Sequence, residues 1–186
     1  MLTALNICQK ARLVVGDAGH TAFSDYECLT ALQTALDLFV TSCDEFFSPA
    51  LVKSVELELE DDAVDLPDDF RSVISVRDAL GGLLESNYET GPFTGEYRFE
   101  NAKIISPESP VTLTYRYRPP RLTELEDEID VPESFELPLA RITAALLQGD
   151  FTQAQGVSDQ AAQTSKVQRW ENVATKKLWG GYNPNA

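Results

Sequence analysis

Between Ser24 and Phe47 the chain carries one unbroken apolar stripe: Leu29, Leu32, Leu36, Phe39, Val40, Cys43 and Phe46, at intervals of three and four. That spacing puts every member on one face of an α-helix of about six turns. Ser24 and Glu27 stand at capping-box spacing at its start, where the hydroxyl accepts from a free backbone N–H and the glutamate reaches back. Pro49 follows its end. A helix this long with one apolar face is stable only when that face is covered, so Leu32, Leu36 and Phe39 are expected at the centre of a core.

The period then changes. Val55, Leu57 and Leu59 alternate with Ser54, Glu56, Glu58 and Glu60, the pattern of a half-buried strand. Leu66-Pro67-Asp68-Asp69-Phe70 reads as a turn into a second strand, Val73 to Val76. Tyr97-Arg98-Phe99 and Lys103-Ile104-Ile105 read as a hairpin around an Asn-containing turn. Val111, Leu113, Tyr115 and Tyr117 alternate with Thr112, Thr114, Arg116 and Arg118, and Pro119-Pro120 stops that strand.

Helices flank this β-rich middle. Residues 2–15 form a first helix, with Leu2, Leu5, Cys8, Ala11, Leu13 and Val14 as its apolar members and Gly16 as its end. Residues 123–136 are polar and acidic, anchored by Leu125, Ile129, Val131 and Phe135. A third helix follows from Ser134 or Pro138 to Gln148, with Pro138 in its first turn, where a missing N–H costs nothing. A fourth runs from about Ser158 to Leu178. Its stripe is thin (Ala161, Ala162, Ser165, Val173, Ala174), with Trp170 and Leu178 as the only large members. The expected fold is α+β: an antiparallel bundle of about four helices carrying an inserted β-hairpin or small antiparallel sheet. Residues 1–178 are read as a single domain, with helical core 2–47 and 134–178 and a β-rich insertion over about 50–120. Residues 179–186 are read as a flexible tail.

The net charge is −15, and it is unevenly placed. Residues 1–158 carry 28 acids against 11 bases, whereas residues 159–186 carry 2 acids against 4 bases. A body this acidic repels nucleic-acid phosphates. No apolar run is long enough for a membrane span, and the first residues lack the basic start and apolar run of a signal peptide. Synthesis in a cytosol, without membrane attachment, is therefore expected.

The chemistry-bearing residues are sparse. Cys8, Cys28 and Cys43 have no metal-binding spacing and read as small buried hydrophobes. Seven acids lie between Glu58 and Asp69 and seven more between Glu124 and Glu136. Neither run has the glycine and ligand spacing of a calcium loop, and both read as solvated. His20, near Asp17, Ser24 and Asp25, reads as a loop histidine instead of a triad member. No catalytic residue, cofactor or metal is expected. Tyr115 to Arg118 interleaves aromatics with bases, but strand alternation places the tyrosines on one face and the arginines on the other. Arg116, Arg118 and Arg121 are then expected to pair with acids of a neighbouring subunit. Trp170, Lys176, Lys177, Trp179 and Tyr182 form a basic, aromatic segment of the kind that anchors interfaces.

The ordered pattern resembles the head–tail connector (adaptor or neck) proteins of tailed bacteriophages. The likeness is carried by the capped helix from Ser24 to Phe47, the acidic alternating strand Val55 to Leu59, the turn Leu66-Pro67-Asp68-Asp69-Phe70, the aromatic hairpin, the strand Val111 to Tyr117 ending in Pro119-Pro120, and Val131-Pro132-Glu133-Ser134-Phe135 opening a helix. It covers roughly residues 1–150; beyond Gly149 the chain shares only its helical, polar character. The resemblance implies a structural adaptor without enzymatic activity. Such a protein forms a ring, a dodecamer, beneath the phage portal protein, receives a downstream tail protein and lets DNA pass. It is assembled in the host cytoplasm and ends in the neck of the virion. Two other classes remain: an acidic protein that mimics DNA, and an enzyme with a pocket of perturbed carboxylates.

Overall fold

The computed structural model describes residues 2–87 and 94–179, with side chains through residue 165. The fold is α+β, with four α-helices and two small sheets among the described residues. It divides into two compact units. One comprises residues 1–51 and 119–186, the other residues 52–118. The sequence reading had drawn this β-rich stretch, over about 50–120, as an insertion within a single domain.

The first unit holds α1 (Ala4–Val15), α2 (Asp25–Glu45), α3 (Glu136–Leu147) and α4 (Phe151–Trp179). The capping box at the start of α2 is formed: Glu27 N donates to Ser24 Oγ at 3.2 Å and Ser24 N to Glu27 Oε2 at 2.7 Å. Leu32, Leu36 and Phe39 are buried as the stripe requires, and the Phe39 and Phe135 rings lie 4.8 Å apart. Phe135 packs near the middle of α2 while Leu146 and Leu147 line a groove with its first turns, so α3 runs opposite to α2. α3 also meets α1 and α4.

Two helices differ from the sequence reading. In α1 the buried set is Ala4, Ile7, Cys8, Ala11 and Arg12, while Leu13 and Val14 are exposed. Steps of three and four from Ala4 lead to positions 11 and 12; 13 and 14 lie around the helix on the solvent side. α4 begins at Phe151, not near Ser158. Gly149, at φ 76°, takes the left-handed conformation that ends α3, and Asp150 Oδ1 then accepts from Gln153 N at 2.9 Å, starting a new helix at once. α4 compensates for its thin stripe with small residues: Ala154, Ser158, Ala161 and Ala162 are buried. Its hydroxyls join α2, with Ser42 Oγ 2.8 Å from Ser158 Oγ and donating to Asp159 Oδ1 at 2.8 Å.

The acidic stretch before α3 is pinned by backbone bonds. Ala4 N donates to Asp127 O, Leu5 N to Leu125 O, and Ile129 N to Leu2 O, at 2.7–3.0 Å. Leu122, Ile129, Val131 and Phe135 are buried beneath it.

The second unit holds β1 (Val52–Leu57), β2 (Ala63–Asp65), β3 (Phe70–Arg77), β4 (Glu85–Ser86), β5 (Glu96–Glu100), β6 (Lys103–Ile105) and β7 (Val111–Tyr117). Three form an antiparallel sheet in the order β1-β7-β3; the other four lie in the order β2-β6-β5-β4, with β4 parallel to β5. The β5–β6 hairpin turns through Asn101 and Ala102, both at positive φ. β2 and β4, of three and two residues, carry too little periodicity to be read from sequence.

Candidate interaction surfaces

The turn at residues 66–70 is the structural centre of the β unit. Asp69 Oδ2 accepts from Lys53 Nζ of β1 at 2.7 Å, and Asp69 Oδ1 accepts from the Tyr115 hydroxyl of β7 at 2.8 Å. Its carbonyl accepts from Arg118 N at 2.9 Å. Burial pushes the Asp69 carboxyl up, but the Lys53 and Tyr115 hydrogen bonds outweigh it, and the group lies below its ordinary value. The Phe70 ring lies tilted, 5.6 Å from that of Phe99 and 5.7 Å from that of Tyr115, and the Lys53 ammonium lies 4.1 Å from the Tyr117 ring centre. The turn, β7 and the hairpin are therefore one packed assembly.

Alternation along β7 falls as the sequence pattern requires. Tyr115 and Tyr117 are buried, Arg116 is half-buried on the opposite face, and Arg118 is exposed just past the strand. Arg121, also exposed, belongs to the helical unit.

His20 and its neighbours are committed to structure. Ser24 Oγ donates to Glu27 Oε2 at 2.7 Å, and His20 Nδ1 is 4.0 Å from Asp25 Oδ1, which already holds Arg12 Nη2 at 2.7 Å. No nucleophile–base hydrogen bond links Ser24 to His20 in this arrangement. Arg12, 2 % exposed, was not expected inside: it ties α1 to Asp25 at the start of α2 and lies 3.7 Å from Asp17. Asp17 caps the following loop, accepting from the N–H groups of Thr21, Ala22 and Phe23 at 2.7–3.1 Å. Those donors, Ala22 foremost, hold its carboxyl down at about 2. Cys8 and Cys28 sit beside Arg12, and burial pushes the Cys8 thiol up to about 12. Among the described residues no group of three or more His, Cys, Asp or Glu side chains is placed to hold a metal ion. No helix there is long and apolar enough to cross a membrane.

The helical unit opens two grooves. One, of about 210 Å³, lies between the start of α3 and the middle of α4, with Phe135, Leu137 and Ala161 in its walls. The other, of about 320 Å³, lies between the first half of α2, the end of α3 and the start of α4. Tyr26 and Phe151 stand at its rim, 78 % and 65 % exposed. Sequence reasoning passed over both. The available signal was two large aromatics placed off the stripes of their helices. Elsewhere Leu80 projects from the loop after β3 at 98 % exposure.

Of the residues expected to meet a partner, Trp170, Lys176, Lys177 and Trp179 lie on α4 with side chains outside the described residues, and Tyr182 lies outside them altogether. α4 includes Trp179, which the sequence reading had placed in the tail, and residues 180–186 lie outside the described residues. No family model matches the chain, and a search of curated proteins found no match.

Proposed function

We propose that this chain is a structural adaptor of a tailed bacteriophage. It assembles as a ring beneath the portal protein in the neck of the virion, receives the next tail protein and lets DNA pass without reading it. The observation that carries this reading is the ordered set of residues that resembles the head–tail connectors, together with the way its pieces meet. The turn Leu66 to Phe70, the strand Val111 to Tyr117 and the aromatic hairpin join around Asp69 and Phe70. They form a β unit that lies between α2 and α3 in chain order. The charge supports the same reading: a strongly acidic body repels the phosphates of passing DNA and lowers its tendency to stick. Ring assembly calls for a contact between two different patches on neighbouring copies, repeated until it closes.

Electron microscopy of the full chain mixed with the portal protein of the same phage tests this. The expected result is a collar of additional density on one end of the portal, with matching rotational symmetry. Portals that stay bare, with no co-sedimentation of the two proteins, overturn the reading.

A further inference from the structure

The groove between α2, the end of α3 and the start of α4 is lined mainly by apolar groups. The Thr30 hydroxyl donates to Tyr26 O at 2.8 Å and the Thr34 hydroxyl to Thr30 O at 3.0 Å, so both polar groups are satisfied within the helix. They line the groove beside Ala31, Leu147 and the two rim aromatics with their hydroxyls already bonded to the helix backbone. Glu27 lines the groove and carries negative charge there, and Asp25 and Asp150 adjoin Tyr26 and Phe151 in the sequence.

A matching occupant exists in this sequence. Residues 176–186 contain Lys176, Lys177, Trp179 and Tyr182 and no acid. Large aromatics fill apolar grooves with little loss of conformational entropy, and flanking lysines complement an acidic rim. Of two further runs that mix aromatics with bases, Tyr97-Arg98-Phe99 has Tyr97 buried and Tyr115 to Arg118 has both its tyrosines buried.

Helix length decides which copy supplies the segment. Phe151 opens α4 at the groove and Trp179 closes it 29 residues later, as counted inclusively. At 1.5 Å per residue that separates the two by about 42 Å. Tyr182 lies three residues further on, a reach of at most about 11 Å when fully extended. The Tyr182 of a given copy cannot return to that copy's groove.

We infer that residues 176–186 of one copy dock in the Tyr26–Phe151 groove of a second copy. The contact joins two different patches, so repetition propagates in one direction and closes into a ring when the rotation allows it. The inference rests on the self-assembly part of the function proposed above and names the surfaces that carry it.

Cysteine trapping in the full chain tests it, because the native Cys8, Cys28 and Cys43 are all buried. One preparation carries Thr34→Cys, a second Asn183→Cys beside the intact Tyr182, and a control Asp62→Cys in place of the groove variant. The expected result is a disulfide-linked heterodimer after mild oxidation of the mixed variants, several-fold more abundant than with the control. Tyr26→Ala combined with Phe151→Ala removes only exposed side chains and is expected to keep the thermal midpoint while weakening self-association about tenfold or more. A heterodimer no more abundant than the control overturns the inference, as does unchanged self-association of the double variant. A portal collar formed by that same double variant keeps the adaptor reading standing. Bare portals with the unaltered chain remove the adaptor reading itself.

Discussion

Replacing Arg12 separates two ways in which a buried cation can hold a fold. Arg12 is 2 % exposed, with Nη2 at 2.7 Å from Asp25 and Nη1 at 3.7 Å from Asp17 and without a hydrogen-bond partner. Removing one member of a buried ion pair costs about 3–5 kcal/mol when the other charge is stranded. Neither carboxylate is stranded here. The Asp25 side chain is 65 % exposed, and Asp17 keeps its three backbone donors. The guanidinium's dehydration is also relieved in the variant. Arg12→Met, which retains an unbranched stem, is therefore expected to change stability by less than about 1 kcal/mol. Arg12→Ala also deletes stem methylenes packed between α1 and α2, at about 0.8 kcal/mol each, for a loss of roughly 2–3 kcal/mol. Urea unfolding followed by far-UV circular dichroism measures both. A loss of about 3 kcal/mol or more for Arg12→Met, equal to that for Arg12→Ala, would refute the reasoning, because the charge would then be doing what packing is assigned to do.

Acid is expected to destabilise the helical unit through Asp17. Its folded carboxyl titrates at about 2, below the unfolded value near 4, so the unfolded chain binds the proton first. The stabilisation is full above about pH 4 and is lost as pH falls toward about 2; thermal melts across that window should show a shallower slope for Asp17→Asn than for the native chain. In the β unit, Tyr115→Phe removes the hydroxyl that Asp69 accepts at 2.8 Å and is expected to cost about 1–2 kcal/mol in the same urea assay. A change under about 0.3 kcal/mol would mean that the Lys53 contact alone satisfies the carboxylate.

What was legible in the sequence was whatever a single period could express. The α2 stripe and the alternation of β7 each repeat one physical rule along an element, over 21 and 7 residues, so isolated exceptions do not obscure them, and the capping box is a fixed spacing of Ser24 and Glu27. Arg12 was illegible because its burial depends on Asp25, thirteen positions away, and on Asp17 being occupied by loop N–H groups. Periodicity reads a charged residue as outward unless the partner is known. The start of α4 was misplaced for a similar reason. Its face is made of alanines and serines that a hydrophobic pattern weighs lightly, and the signal lay instead in Gly149-Asp150, a helix stop followed at once by a cap.

The exposed apolar side chains add one more step. Leu80 is held in solvent by a turn with its own hydrogen bonds: Asp78 Oδ1 accepts from Leu80 N at 2.8 Å and from Gly82 N at 2.7 Å, and Arg77 donates to Gly81 O at 2.8 Å. Gly82 lies so close to the Asp78 carboxylate that a side chain there would collide with it at 2.5 Å. A leucine displayed on so fixed a turn loses little further conformational freedom when a partner covers it. The rim aromatics Tyr26 and Phe151 share this character, each standing on the first turn of a capped helix. These groups are carried on a chain of net charge −15, which opposes non-specific association of free copies through mutual repulsion. Association then requires a partner surface that matches the displayed side chains in shape and offsets the charge. Under the adaptor proposal, the acidic body keeps free copies dispersed, and the exposed leucine and aromatics are the groups that a matching partner would cover.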